Sequence, residues 1–185
     1  LTGTVGSSVD LGDVNGDGAL DLVITGEKND GSPSSTLYIN DGGGTNFTSS
    51  GLPLAVQNGS VAVGDVNNDG SLDLVVSGNT TTGIESKLLR NDGDGNFTST
   101  QPLKGAINGS TTFGDVNADG HLDLLITGKD FSDVPETTIL YKGDGSSTSP
   151  FSPTAAGLTR VGKSAAVLGD FNGNGQLAPF IAGAG

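Results

Sequence analysis

Four short runs are apolar at nearly every position: "LDLVITG" at 20–26, "LDLVVSG" at 72–78, "LDLLITG" at 122–128 and "LAPFIAG" at 177–183. Unbroken apolar runs of this length, rich in Val and Ile, predict strands buried on both faces. Each is preceded by a small, β-compatible run ("SSVDLG", "SVAVG", "STTFG", "SAAVLG"). The first three are followed by "STLYIN", "SKLLRN" and "TTILYK", then a glycine turn, then "NFTSS", "NFTST" and "PFSP". Asp-Gly beside further glycines supplies the positive-φ positions of a hairpin. The pattern predicts four strands per unit and no helical period.

The units repeat. The aspartates that open the loop between first and second strands are Asp13, Asp65, Asp115 and Asp170, at spacings of 52, 50 and 55. Four-stranded units of this length are the signature of propeller blades. The expected fold is therefore all-β: one repeat domain, a β-propeller-like array of three full blades and a half blade. Approximate boundaries are 1–52, 53–102, 103–156 and 157–185. Three and a half blades are too few to close a ring of four to eight. The open edges predict self-association.

Composition narrows the function. The 32 glycines among 185 residues suit tight turns, and the absence of Cys excludes disulfides and thiolate metal sites. No apolar run reaches the length of a membrane span. With 8 Lys and Arg and a net charge of −13, there is no basic patch for nucleic acid. The chain opens on Leu1 and contains no Met, so it reads as a piece of a longer precursor.

The charge is concentrated in the repeated loop, D-x-N-x-D-G-x-x-D. Positions 1, 3, 5 and 9 offer side-chain oxygens, position 6 is a turn glycine, and position 7 offers a carbonyl. Six or seven hard oxygen donors suit Ca²⁺; Mg²⁺ demands a tighter octahedron and Zn²⁺ prefers His or Cys. The expected ligands are Asp13, Asn15, Asp17, Ala19 and Asp21 in the first loop. They are Asp65, Asn67, Asp69, Ser71 and Asp73 in the second, and Asp115, Asn117, Asp119, His121 and Asp123 in the third. The fourth copy keeps Asp170, Asn172 and Asn174 but has Ala178 at position 9, so it is expected to be weak or lost. An EF-hand is excluded, because position 12 is Ile24, Val76 or Ile126 where a bidentate Glu is needed. The three loops and Asp170 hold ten of the 21 acidic residues, and the other 11 face 8 basic ones. Three bound Ca²⁺ would bring −13 to −7.

"VAVGDVNNDGSLDLVVSG…LLRNDGDGNF" resembles the FG-GAP/VCBS repeats of integrin-α-like propellers, and the resemblance spans essentially the whole chain. It implies structural Ca²⁺ in the loops between the first and second strands, with recognition on loops of the opposite face. Those are 27–35, 79–85 and 129–136. The implied function is a structural or adhesive binding scaffold, for an unidentified protein or glycan, on a cell surface or secreted. The alternative is a carbohydrate-binding or accessory propeller of a polysaccharide-active enzyme.

Catalysis is not expected of this chain itself. His121, the only histidine, sits at the carbonyl-donating position and lacks a base's oriented partner. Asp10, Glu27, Asp30, Glu85, Asp130, Asp133 and Glu136 are scattered and form no acid pair. There is no Trp for a sugar platform; Phe47, Phe97 and Phe151 recur after the glycine turn and read as core anchors, as do Tyr38 and Tyr141. The Asn-x-Ser/Thr sequences at Asn46, Asn58, Asn79, Asn96 and Asn108 fall on repeat turns.

Overall fold

A computed structural model describes residues 3–130 and 137–184. Its described residues form strands and turns only. The first sheet is β1 (Val5–Gly12), β2 (Asp21–Glu27), β3 (Pro33–Asn40) and β4 (Phe47–Gly51). The second is β5 (Gln57–Gly64), β6 (Asp73–Asn79), β7 (Ile84–Asn91) and β8 (Phe97–Leu103). The third is β9 (Thr111–Gly114), β10 (Asp123–Gly128), β11 (Thr137–Gly143) and β12 (Phe151–Pro153). A two-stranded sheet of β13 (Ser164–Gly169) and β14 (Ala178–Gly183) follows. Every sheet is an antiparallel meander in chain order, so the protein is a propeller-like array of blades.

The apolar runs are the second strands, but only β6 and β10, stacked between neighbours, are buried on both faces as expected; β14 is largely exposed, because no further sheet covers it among the described residues. In β6, Leu74 and Val76 join a cluster with Val14, Val23 and Leu37 of the first blade. Val75, pointing the other way, joins Leu124, Ile126, Tyr141 and Phe151 of the third. One strand thus fills two interfaces, and each fully buried Leu or Val contributes on the order of 1.5–3 kcal/mol. Strand β2 is only half-buried at Leu22 and Ile24, because no sheet covers that side of the first blade among the described residues.

The first strands adjoin one another and are tied by polar contacts. Val61 N donates to Ser8 Oγ at 3.3 Å and Thr111 N to Ser60 Oγ at 3.0 Å. Asn108 N donates to Asn58 O at 2.8 Å, and Ser164 N to Asn108 O at 3.0 Å. Asn58 and Asn108 hold positive φ of 51° and 52°, and Gly6 sits at the matching place with 56°. These two glycosylation-type sequences are therefore strand-linking positions. Asp10 is structural too: its Oδ2 accepts Val63 N at 3.0 Å.

Two expectations change. Phe151 and Phe97 do pack between blades, but Phe47 remains 36% exposed, because its side of the first sheet is uncovered. The expected recognition loops shrink to tight turns, since pairing reaches Glu27↔Pro33 and Asn79↔Ile84. Local bonds close them: Ser32 N and Oγ both reach Asp30 Oδ1, and Thr80 N donates to Gly83 O. Most of the third such loop, with Asp133 and Glu136, lies outside the described residues.

Gly109 lies against the edge of the second strand. A Cβ there would meet Thr127 O at 1.8 Å, a backbone atom that cannot step aside. Gly109→Ala is expected to cost about 3 kcal/mol in urea unfolding. Gly16→Ala, where φ is +71° but nothing lies within 4 Å, is expected to cost about 1 kcal/mol. Equal losses would contradict the packing described.

Candidate metal centres

The three intact loops close in the same way, with the leading aspartate at the hub. Asp13 Oδ1 accepts Asp17 N at 3.1 Å and Oδ2 accepts Gly18 N at 2.8 Å. Asp65 does this for Asp69 N and Gly70 N, and Asp115 for Asp119 N and Gly120 N, at the same two distances. A carboxylate that accepts successive amides is the reason a short polar segment curls here instead of continuing as strand. The worn fourth loop keeps this closure, with Asp170 accepting Asn174 N at 3.1 Å and Gly175 N at 2.8 Å. Loop shape therefore survives where the ligand set does not.

The fifth-position side chains add a second turn. Asp17 Oδ1 accepts Ala19 N at 2.8 Å, Asp69 Oδ1 accepts Ser71 N at 2.9 Å, and Asp119 Oδ1 accepts His121 N at 3.0 Å. The third-position amides donate back: Asn15 Nδ2 to Asp17 Oδ2, Asn67 Nδ2 to Asp69 Oδ2, and Asn117 Nδ2 to Asp119 Oδ2, at 2.9, 2.7 and 2.6 Å. These bonds, led by the asparagine amide, hold the Asp69 and Asp119 carboxyls below the usual range.

The ninth position has a role that spacing alone did not show. Asp21, Asp73 and Asp123 open the second strands and are fully buried. Asp21 Oδ2 accepts Val14 N from the loop, and Oδ1 accepts Asn40 N at the end of the third strand, both at 2.9 Å. Asp73 joins Val66 N to Asn91 N, and Asp123 joins Val116 N to Gly143 N. Each buried carboxylate clamps the loop to the third strand of its own blade. In the fourth copy Ala178 takes this place.

Side chains from the third strand complete the second centre. Arg90 places Nη1 2.8 Å from Asp73 Oδ2 and Nη2 3.0 Å from Asp69 Oδ2. Asn91 Nδ2 donates to Val14 O and Leu72 O, so it bridges two blades. Burial pushes the Asp73 carboxyl up to about 6, although the Asn91 amide and Arg90 oppose the rise. His121 is not free in solvent: its Nδ1 lies 3.2 Å from Asn68 Nδ2 of the neighbouring loop, which also donates to Gly120 O.

These residues can be tested against a hard cation. Among the described residues, no three acidic or histidine side chains form a metal-ready cluster. The carboxylates are turned onto backbone amides, as described above. Each carboxylate has roughly four acceptor sites, however, so one amide per oxygen leaves capacity for a metal. Asn67 Oδ1, at the third position of the second loop, is buried with no donor, an oxygen for which a cation would be a partner. The donor set is all oxygen. The chemistry fits Ca²⁺, with some inward turning of the carboxylates required.

Comparison with known proteins agrees with the repeat. The FG-GAP-like repeat matches residues 13–76, 77–126 and 115–177. No curated protein matches the chain.

The raised Asp73 carboxyl gives a signed expectation in metal-free buffer. Its folded value lies above the unfolded one, so the folded state takes up the proton first. The contribution is full below about 4 and is lost as pH rises through about 6. Stability in EDTA should therefore gain roughly 1–3 kcal/mol from this residue between pH 7 and 4.5. Urea unfolding of wild type and Asp73→Asn over that range checks it. The variant should lose this part of the slope, and identical slopes would contradict the assignment.

Proposed function

The chain belongs to the FG-GAP-like repeat family, and from that premise we propose that it is a calcium-stabilised propeller module acting as a binding scaffold. The observation that supports this best is the threefold loop closure on Asp13, Asp65 and Asp115, each with a buried ninth-position aspartate beside it. Asp13, Asn15, Asp17 and Asp21 would hold the ion in the first blade, with the carbonyl of Ala19. Asp65, Asn67, Asp69 and Asp73 with Ser71, and Asp115, Asn117, Asp119 and Asp123 with His121, would do so in the next two. The ion supplies positive charge where three carboxylates crowd one loop, so its role is structural. In this reading the module itself is non-catalytic, and weak sites that fill at millimolar calcium would suit a protein on a surface or outside the cell. The accessory-propeller alternative finds no observation here that favours it.

The two open ends suit each other. Val9, Leu11 and Leu20 are 55–60% exposed on the first blade. Their counterparts Val61, Val63 and Leu72, with Phe97, pack against Val14, Val23 and Leu37 between the first two blades. At the far end, Phe171 and Phe180 occupy the places that Val14 and Val23 hold in the first blade; they are 61% and 60% exposed, with ring centroids 5.8 Å apart. The uncovered faces are the two halves of an interface that the chain already builds internally. A second copy, head to tail, would join them.

Two measurements test this reading. Millimolar Ca²⁺ should raise the thermal midpoint over EDTA by roughly 5 °C or more, with little effect from equal Mg²⁺. An unchanged midpoint, with metal analysis confirming that the chelated sample is empty, would refute the calcium assignment. Light scattering at about 100 µM should give more than the 18.3 kDa of one chain, and Leu11→Lys should restore that single mass. A wild-type mass of one chain would refute the head-to-tail contact.

A further inference from the structure

The three loops share one set of donors but not one set of neighbours. The residue just before the end of the third strand is Ile39 in the first blade, Arg90 in the second and Lys142 in the third. Ile39 packs against the apolar cluster between the first two blades. The Lys142 charge acts weakly on Asp119. Arg90 is different, because its guanidinium bonds two of the expected ligand carboxylates at once, Asp69 and Asp73, and its side chain is only 11% exposed.

We infer that the second loop carries its own cation, and that Arg90 makes it the weakest of the three calcium sites. This rests on the calcium reading above. Asp69 Oδ2 and Asp73 Oδ2 are each engaged by one arm of the guanidinium. A divalent ion drawing the same two carboxylates inward would sit within a few ångströms of a fixed positive charge. At that range the repulsion outweighs what a flexible, solvated lysine would exert. Arg90 has to give up these bonds, or the ion has to bind against its charge. Without metal the same ion pair relieves the repulsion between Asp69 and Asp73, so the second blade keeps its loop when calcium is scarce. The first blade, with Ile39 at this position, has no such substitute and depends most on the ion. The array is thus graded: a middle loop whose charge an internal cation already offsets, flanked by loops that gain more from calcium.

Calorimetric titration of the metal-free chain with Ca²⁺ tests this, using wild type, Arg90→Ile and the reciprocal Ile39→Arg. Wild type should show two similar sites and a third about tenfold or more weaker. Arg90→Ile should bring the third site up to the others, and Ile39→Arg should weaken one of the tighter pair. In EDTA, Arg90→Ile should also lower the thermal midpoint, and Ca²⁺ should recover it. Three equal sites in wild type, or an Arg90→Ile protein that binds no better, would overturn the inference while leaving calcium binding intact. No binding in any of the proteins would overturn the calcium reading and this inference together. If Arg90→Ile fails to fold, Ile39→Arg still decides, since an unaltered titration there contradicts the competition.

Discussion

Each four-stranded blade of this protein depends on a carboxylate buried where the second strand begins. Asp21, Asp73 and Asp123 have no exposed surface, and each holds one amide of the preceding loop and one amide at the end of the third strand. A carboxylate so placed is costly unless both oxygens are bonded. Once bonded, it fixes the distance from the loop to the far strand. That fixes where Val14 and Val66 enter the clusters between blades. The polar clamp and the apolar interface are therefore one arrangement seen from two sides.

The clamp also explains the distribution of charge between surface and interior. The loop aspartates at positions 1 and 5 lie near the surface, and their oxygens organise the turn through local amides. They can meet a cation without unfolding anything. The ninth-position carboxylate is already committed to the fold, so a bound ion would strengthen a contact that exists instead of creating one. The fourth loop shows the two functions apart. Asp170 still closes the turn, but Ala178 cannot clamp, and β14 remains largely exposed.

The hydrophobic runs made the strands and the repeat legible, because a period of about fifty residues with doubly buried second strands has few other solutions. The regular spacing of Asp, Asn and Gly made the loops legible, because leading aspartates close each turn on the amides that follow. What could not be read was set by contacts across blades. Phe47 matches Phe97 and Phe151 in sequence, yet its environment depends on a covering sheet that no local pattern reports. The recognition loops looked long, because nothing in "EKNDGSPSS" shows that Glu27 pairs with Pro33. Asn58 and Asn108 looked like turn residues or acceptor sites, whereas their carbonyls link neighbouring blades. Arg90 was hidden within an ordinary third strand, since its partners Asp69 and Asp73 lie some twenty residues upstream. A hint was present in the comparison of Ile39, Arg90 and Lys142 at one repeat position.

Hydrogen exchange at six amides would test the clamp most directly: Val14 and Asn40, Val66 and Asn91, Val116 and Gly143. In metal-free protein all six should be protected to nearly the level of the blade's own strand amides. Calcium should slow them further, most at Val14 and Asn40. Exchange of these amides at the rate of exposed loop residues in the metal-free protein would contradict the account, because the carboxylates would not then hold the blades without an ion.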